Sequence, residues 1–497
     1  MEAFLAGAAA VFAPWTLLLI LLGCTAGVIA AAIPGFTITM AIILTLPLTF
    51  AMPPIQGVAT LLAVYVGGFT GGLFSAALLG IPGTPSSVAT TFDAFPMARN
   101  GEPGRALSLG IWASFFGTLI STGVLVLAAP PLAILAVKLG PWEYFSLIVF
   151  AMTIVASLVG DSVLRGLIAG FLGLGIATLG PDPMMGRERL TFGLSLLETG
   201  VPFLVLLIGA YAVSQLLEEV EDAEHVRRGR GLIPGEIRFK PWAGMRETLS
   251  NPVNLVRSSL IGVFIGAVPG AGGSISNLVA YDQARRASKT PERFGSGIPE
   301  GVIASESGNS STAGGGLIPM IALGIPGSAV DAVLMAALMV HGISIGPRLI
   351  MDNADIVYGM FIAMVVASLA MLGVCLISMR WFLRVTDVPK YMIVPVVLAC
   401  CVVGAYALEN NSDHIILLLL AGLLGYGLRK LGFPLAPLVL GAILGPIAET
   451  NLRRALMAES EWTVFLTRPI SAGLLLLALT SILWSVRHWR RATPPVG

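Results

Sequence analysis

The polar residues with chemical potential lie in a few short stretches of an otherwise apolar chain. Thr84, Ser86, Ser87, Thr90, Thr91 and Asp93 follow Gly80-Ile-Pro-Gly83, while Ser274, Ser276 and Asn277 follow Pro269 and Gly270. The run from Ser305 to Thr312, which contains Glu306, Asn309 and Ser310, precedes Gly314, Gly315 and Gly316. Gly324-Ile-Pro-Gly327 is followed by Ser328 and Asp331. Hydroxyls and amides hydrogen-bond carboxylate oxygens, and with carbonyl oxygens they are suitable ligands for a small hard cation. No basic residue precedes Arg99, so an anion held by the first of these stretches would be held by neutral donors. The same residue types also serve as helix caps and small packing residues.

Glycine and proline set the geometry of these stretches. Gly27 to Gly35 recurs as Gly262 to Gly270, identical at the positions of Gly27, Val28, Ala32, Pro34 and Gly35. The Gly-Ile-Pro-Gly motif recurs in the same order and at nearly the same separation. Chance matching in glycine-rich sequence is one reading; two duplicated halves is the other. Within an apolar run, Pro-Gly removes a backbone donor and breaks the helix. Inside a bilayer such breaks survive where protein or a water-filled cavity satisfies the freed groups, and paired breaks point to a transporter's binding site. The half-helix amino termini would offer N–H groups and a positive dipole end to an anion. A bent packing helix without a ligand is the alternative for any single break. The expected substrate-binding set is Pro34, Gly35, Gly83, Thr84, Ser86, Ser87, Pro269, Gly270, Ser274, Asn277, Asn309, Ser310, Gly327 and Ser328. Asp93, Glu306 and Asp331, read as lying beside the motif loops, are candidates for coupling to a cation, Na+ or H+, because ionisable groups in membrane segments are costly to bury. Asp161 and Arg165 form a further candidate pair at i, i+4.

The surrounding elements follow from composition. Of 497 residues 56% are hydrophobic and 11% charged, and the mean hydropathy is +0.88. No charged residue lies between Glu2 and Asp93. The reading is an all-α, polytopic integral membrane protein with roughly 10 to 14 crossings in two related halves with broken helices. Residues 1–216 form the first half, 217–256 a linker and 257–497 the second half. The span count leaves parallel and inverted repeats both open. Arg227, Arg228, Arg230, Arg238, Lys240 and Arg246 in the linker, and Arg487, His488, Arg490 and Arg491 in the tail, place both segments in the cytoplasm by the positive-inside rule. No basic region precedes the first apolar stretch, so no removable signal is expected. Arg99, Arg105, Arg285, Arg286, Lys289 and Arg293 read as solvated topology residues. A net charge of +1 argues against nucleic-acid binding, and the four cysteines and four histidines lack metal-ligand spacing, so no transition metal or organic cofactor is expected.

At these residues the chain resembles the large membrane subunit of the tripartite tricarboxylate transporters. The resemblance is carried by Gly80 to Ser87 running into Asp93 to Ala98, Gly101 to Leu107, Gly180-Pro-Asp182 with Gly186, and Leu190 to Gly193. It continues through Pro269 to Gly272, Pro291 to Gly295, Glu300-Gly301, Gly314 to Pro319, Gly324 to Ser328, Pro434 to Pro437, Leu444 to Pro446 and Glu449. It implies a secondary transporter in a bacterial inner membrane, working with a small membrane subunit and a periplasmic solute-binding protein and driven by an ion gradient. The substrate class it implies is a di- or tricarboxylate. Where the family carries paired asparagines this chain has Asn309-Ser310-Ser311, so citrate is not assumed. An ion channel and an intramembrane enzyme are the rival classes. The sequence holds neither Gly-x-Ser-x-Gly nor His-Glu-x-x-His, which removes the usual handles for a hydrolase.

Overall fold

The structure, a computed structural model, describes residues 1–158, 162–221, 239–385 and 390–492. Asp161 and Arg227, Arg228, Arg230 and Arg238 lie outside the described residues, as do the side chains of Arg487, His488, Arg490 and Arg491. The described residues are all-α apart from a two-residue pairing of Gly180–Pro181 with Glu188–Arg189. Among the described residues, five helices are long and apolar enough to cross a membrane, and nine shorter apolar helices of 10–17 residues accompany them. It is a multi-pass membrane protein.

Two runs of helices carry the motifs. The first comprises α1 (Pro14–Ala32), α2 (Ile38–Thr49), α3 (Pro54–Leu79), α4 (Thr90–Arg99) and α5 (Pro103–Ala136). The second comprises α6 (Pro252–Ala267), α7 (Gly272–Ala287), α8 (Pro299–Leu323), α9 (Ala329–Val340) and α10 (Ala354–Val385). Proline opens α1, α3, α5, α6 and α8 at the first helical turn, where its missing N–H has no partner to lose. Helices α3 and α8 both stop at a left-handed glycine, Gly80 at φ 68° and Gly324 at φ 72°. The Pro-Gly breaks after α1 and α6 share one backbone path. Ile33 has φ −84° and ψ 115°, Val268 has φ −86° and ψ 118°, and Gly35 and Gly270 follow at φ 91° and 80°. At 12 and 16 residues, α2 and α7 reach about 18 and 24 Å, short of the roughly 30 Å hydrocarbon core.

Polar side chains are buried together with a large apolar core that includes Leu61, Leu62, Leu73 and Phe74, and further large apolar side chains face outward, as lipid permits. Every residue of α8 from Gly301 to Ala322 is buried, the Ser-Asn-Gly run included. Small residues make that possible by letting α8 approach α5 and α6 at backbone distance. A Cβ on Gly117 of α5 would lie 2.7 Å from the Ser307 carbonyl oxygen, and one on Gly266 of α6 would lie 2.7 Å from that of Thr312. Leu127, Phe171 and Leu423 point outward from other helices. The end of the linker is itself anchored. The helix Pro241–Leu249 lies on α5, where Trp112 Nε1 donates to the Pro241 carbonyl at 2.9 Å and Arg105 pairs with Glu247.

Candidate functional site

The breaks leave several helix amino termini inside the molecule, and most of them are closed by side chains. Thr37 accepts the Met40 N–H at the start of α2, at 3.2 Å. The Ala89 N–H before α4 donates to Asn277 Oδ1 at 2.6 Å. Ser328 accepts the Asp331 N–H at the start of α9, at 3.3 Å. The short turn Pro85–Ser87 is closed by Thr84 and Ser87, whose hydroxyl takes the Thr84 N–H at 3.3 Å and donates to the Thr84 carbonyl at 2.9 Å. Helix α7 has no side-chain cap. Its first N–H groups have no acceptor within the helix, so its positive end is open.

Residues from both runs stand against that open end. A Cβ placed on Gly273 would lie 2.9 Å from the Phe69 ring, 2.9 Å from Ser86 Cβ and 3.1 Å from Asn309 Oδ1. Asn309 is fully buried and its Nδ2 donates to the Phe69 carbonyl at 2.9 Å, which leaves Oδ1 buried without a partner. Ser86 Oγ lies 3.0 Å from Thr84 Oγ1. The cluster thus offers backbone donors, two hydroxyls and one unsatisfied acceptor, with no basic group. It is suited to a carboxylate whose remaining polar groups, or an accompanying cation, meet Asn309 Oδ1.

Asp93, Glu306 and Asp331 are fully buried, and among the described residues none of them has a Lys or Arg within ion-pair distance. Glu306 accepts from Thr90 Oγ1 at 2.5 Å and Ser114 Oγ at 2.8 Å. Asp331 accepts from the Tyr65 hydroxyl at 2.6 Å and Ser328 Oγ at 2.7 Å. Asp93 is held differently: the N–H groups of Gly295, Gly297 and Ile298 donate to Oδ1 at 2.8–3.0 Å, and the Tyr281 hydroxyl to Oδ2 at 2.8 Å. That arrangement fastens the 295–298 loop to α4. Asn277 Nδ2 reaches the Ser305 carbonyl at 3.1 Å and Thr90 Oγ1 at 3.4 Å, so α7, α4, α8 and α5 share one hydrogen-bonded chain ending on Glu306.

The expected residues divide accordingly. Thr84, Ser86 and Asn309 come together at α7, beside Gly270 and Pro269 in the turn that precedes it. Ser310, one residue from Asn309, is turned elsewhere. It lies between Ser307 and Gly314 on the face of α8 that meets Gly117 and Ser121 of α5, and its hydroxyl is buried without a partner. Ser87 is engaged within its own turn, and Ser328 and Asp331 with each other and Tyr65. Pro34 and Gly35 form the other break, where the Gly35 carbonyl accepts from Gln215. Ser274 is partly exposed in the first turn of α7. Gly83 and Gly327 pack against the Ala31 and Gly266 carbonyls; the positive φ of those motifs belongs to Gly80 and Gly324. Glu306 lies within α8 rather than beside a loop. Sequence reasoning missed Tyr65, Phe69, Ser114, Gly273 and Tyr281. Tyr65, in the middle of an uncharged membrane run, was the one visible signal.

The 180–189 segment is a clamp outside this cluster. Asp182 is held at about 2, below the usual carboxylate range, first by the Met184 and Met185 N–H groups and then by Arg453. Arg189 pairs with Glu449 through both nitrogens at 2.5 and 2.6 Å, and Arg453 bridges Asp182 and Glu449. Arg99, Arg105, Arg165, Arg285, Arg286, Lys289 and Arg293 are exposed.

Residues 17–440 match the family described as the tripartite tricarboxylate transporter TctA family. The chain belongs to that family. As a TctA family protein it is a membrane component of a transporter, and the match spans every residue of the α7 cluster and all three buried carboxylates. It is 33% identical over 473 residues to an uncharacterised 52.8 kDa protein in the TAR-I ttuC' 3' region of Agrobacterium vitis, covering 94% of this chain and 92% of that one. A second protein of Agrobacterium vitis, in the TAR-II ttuC' 3' region, is 33% identical over 223 residues, covering 45% of this chain and 92% of that one. No solved structure matches this TctA family chain.

Proposed function

We propose that this chain is the large membrane subunit of an ion-gradient-driven importer of a di- or tricarboxylate, a symporter in a bacterial inner membrane. The observation that carries the substrate class is the uncapped amino terminus of α7 beside the unpartnered Asn309 Oδ1 and the hydroxyls of Thr84 and Ser86. A carboxylate placed there takes backbone N–H groups and a hydroxyl, and the dipole of a 16-residue helix favours its charge. Because the site draws on α3 and the Pro85–Ser87 turn from one run and on α7 and α8 from the other, movement between the runs would open or close it. The common backbone path of the two breaks supports a duplicated unit within 1–216 and 257–497.

Coupling is assigned to Glu306 and Asp331. Each is a buried carboxylate with hydroxyl partners and no Lys or Arg in reach among the described residues, Asp331 taking the Ser328 backbone N–H as well, and each stands to gain more from a Na+ or H+ than a paired carboxylate would. Asp93, satisfied by three backbone N–H groups, is assigned to structure instead. Family membership supports two partners, a small membrane subunit and a periplasmic solute-binding protein, and positive charge in the linker and tail supports a cytoplasmic carboxyl terminus. The test is uptake of a carboxylate panel into proteoliposomes holding both membrane subunits, with binding protein added outside and a sodium or proton gradient imposed. Uptake should need the gradient and saturate with binding protein. Flux indifferent to the gradient would remove the symport reading, and equal uptake without binding protein would remove the tripartite one.

A further inference from the structure

The outer face of α6 and α7 carries a groove of about 1030 Å³ that the carboxylate site does not use. One end is polar. Arg257, on the second turn of α6, is half-buried there, with Gln283 of α7 beside it. Its guanidinium donates to Asn254 Oδ1 at 2.9 Å, while Nε is buried without a partner. Asn254 is turned toward it by its own bond to the Glu300 carbonyl, at 2.9 Å. Among the described residues no carboxylate lies within ion-pair distance of Arg257, and Asp282, the acidic residue preceding Gln283, pairs with Arg286. The rest of the groove is apolar and open, running along Val256, Leu260 and Phe264 toward Val279, with Phe264 73% exposed.

We propose that this groove binds one anionic phospholipid, its phosphate on Arg257 and an acyl chain along Leu260 and Phe264. The gradient of polarity decides the occupant. Arg257 lies about 8 Å from the start of α6, within reach of the headgroup layer for a long side chain, and the apolar wall continues from there toward the break at Val268. A phospholipid supplies both a charge at that level and a chain below it. A protein helix would have to bring a carboxylate to the same depth, which is costly. Arg257 begins at the linker end of α6, the end that positive charge assigns to the cytoplasmic leaflet, where anionic lipids attract basic pockets.

The experiment uses the purified full-length chain in a neutral detergent, titrated with phosphatidylglycerol or phosphatidylcholine, with bound lipid counted by native mass spectrometry and the melting temperature followed in parallel. One phosphatidylglycerol should be held in preference to phosphatidylcholine and should raise the melting temperature. Arg257→Gln should weaken it at least about 10-fold, as expected for a lost charge-assisted contact, and Arg257→Lys should retain part of the preference. Leu260→Trp, which fills the groove and keeps the charge, should also displace the lipid, and serves if Arg257→Gln folds poorly. Equal retention of the two lipids, displacement by inorganic phosphate at millimolar concentration, or unchanged binding in both groove variants would overturn the proposal. None of these readouts depends on transport.

Discussion

A methyl group on Gly273 would separate the folding role of α7 from its binding role. The helix itself should tolerate it, since Gly273 does not occupy the positive-φ region and alanine is favoured over glycine in helices by up to about 1 kcal/mol. The cradle should not. The new Cβ would lie 2.9 Å from the Phe69 ring, 2.9 Å from Ser86 Cβ and 3.1 Å from Asn309 Oδ1, closer on all three sides than ordinary contact. Relief requires moving Ser86 or Asn309 away from the helix terminus, and overpacking of this kind costs about 1 to 3 kcal/mol. If that cost falls on the ligand-binding geometry, the apparent KM for the carboxylate rises by about 5- to 150-fold. The assay is initial uptake into proteoliposomes at matched protein density, with thermal unfolding as the folding control. A raised KM is expected, with any fall in melting temperature no larger than that overpacking cost produces. Unchanged KM in a well-folded Gly273→Ala variant would show that the carboxylate does not approach the first turn of α7.

Other substitutions divide along the same geometry. Asn309→Ala should raise the KM about 10-fold or more, while Ser310→Ala, on the α5-facing side of α8, should leave it within about threefold. Glu306→Gln should keep substrate binding but lose the dependence of uptake on the imposed gradient, measured by uptake against ion concentration. Tyr65→Phe removes one of the two hydroxyl donors to Asp331 and should lower stability by about 1 to 3 kcal/mol, read by thermal or denaturant unfolding. For the 180–189 clamp, the folded pKa of Asp182 at about 2 lies below the ordinary value of about 3.9. Its stabilisation is therefore complete above about pH 4 and is lost as pH falls through about 2. The melting-temperature gap between the wild type and Asp182→Asn should be flat above that range and close below it.

Composition and the glycine-proline spacing made the membrane class, the helix breaks and the polar clusters legible, because each rests on local chemistry. What was not legible depends on packing. The Ser305–Thr312 run reads as a polar stretch by hydropathy, yet it is fully buried helix, because its small side chains let α5 and α6 approach. Asn309 and Ser310 look equivalent in sequence, but one residue turns a helix by about 100°, which sends the two side chains to different neighbours. The donors to the buried carboxylates come from far along the chain. Tyr65 meets Asp331 across 266 residues and Ser114 meets Glu306 across 192, separations that no local pattern encodes. The glycine motifs were located correctly, but the left-handed positions are Gly80 and Gly324, where the helices stop; Gly83 and Gly327 are small because a carbonyl lies against each.

The central claim is that a carboxylate is held between the two helical runs at the amino terminus of α7. The most direct measurement is an experimental structure of the protein with a carboxylate that it transports. Ligand density with carboxylate oxygens within hydrogen-bond distance of the Gly273 and Ser274 N–H groups and of Ser86 Oγ, beside Asn309 Oδ1, is the expected result. Density at another break, or held by the exposed arginines of the loops, would contradict it.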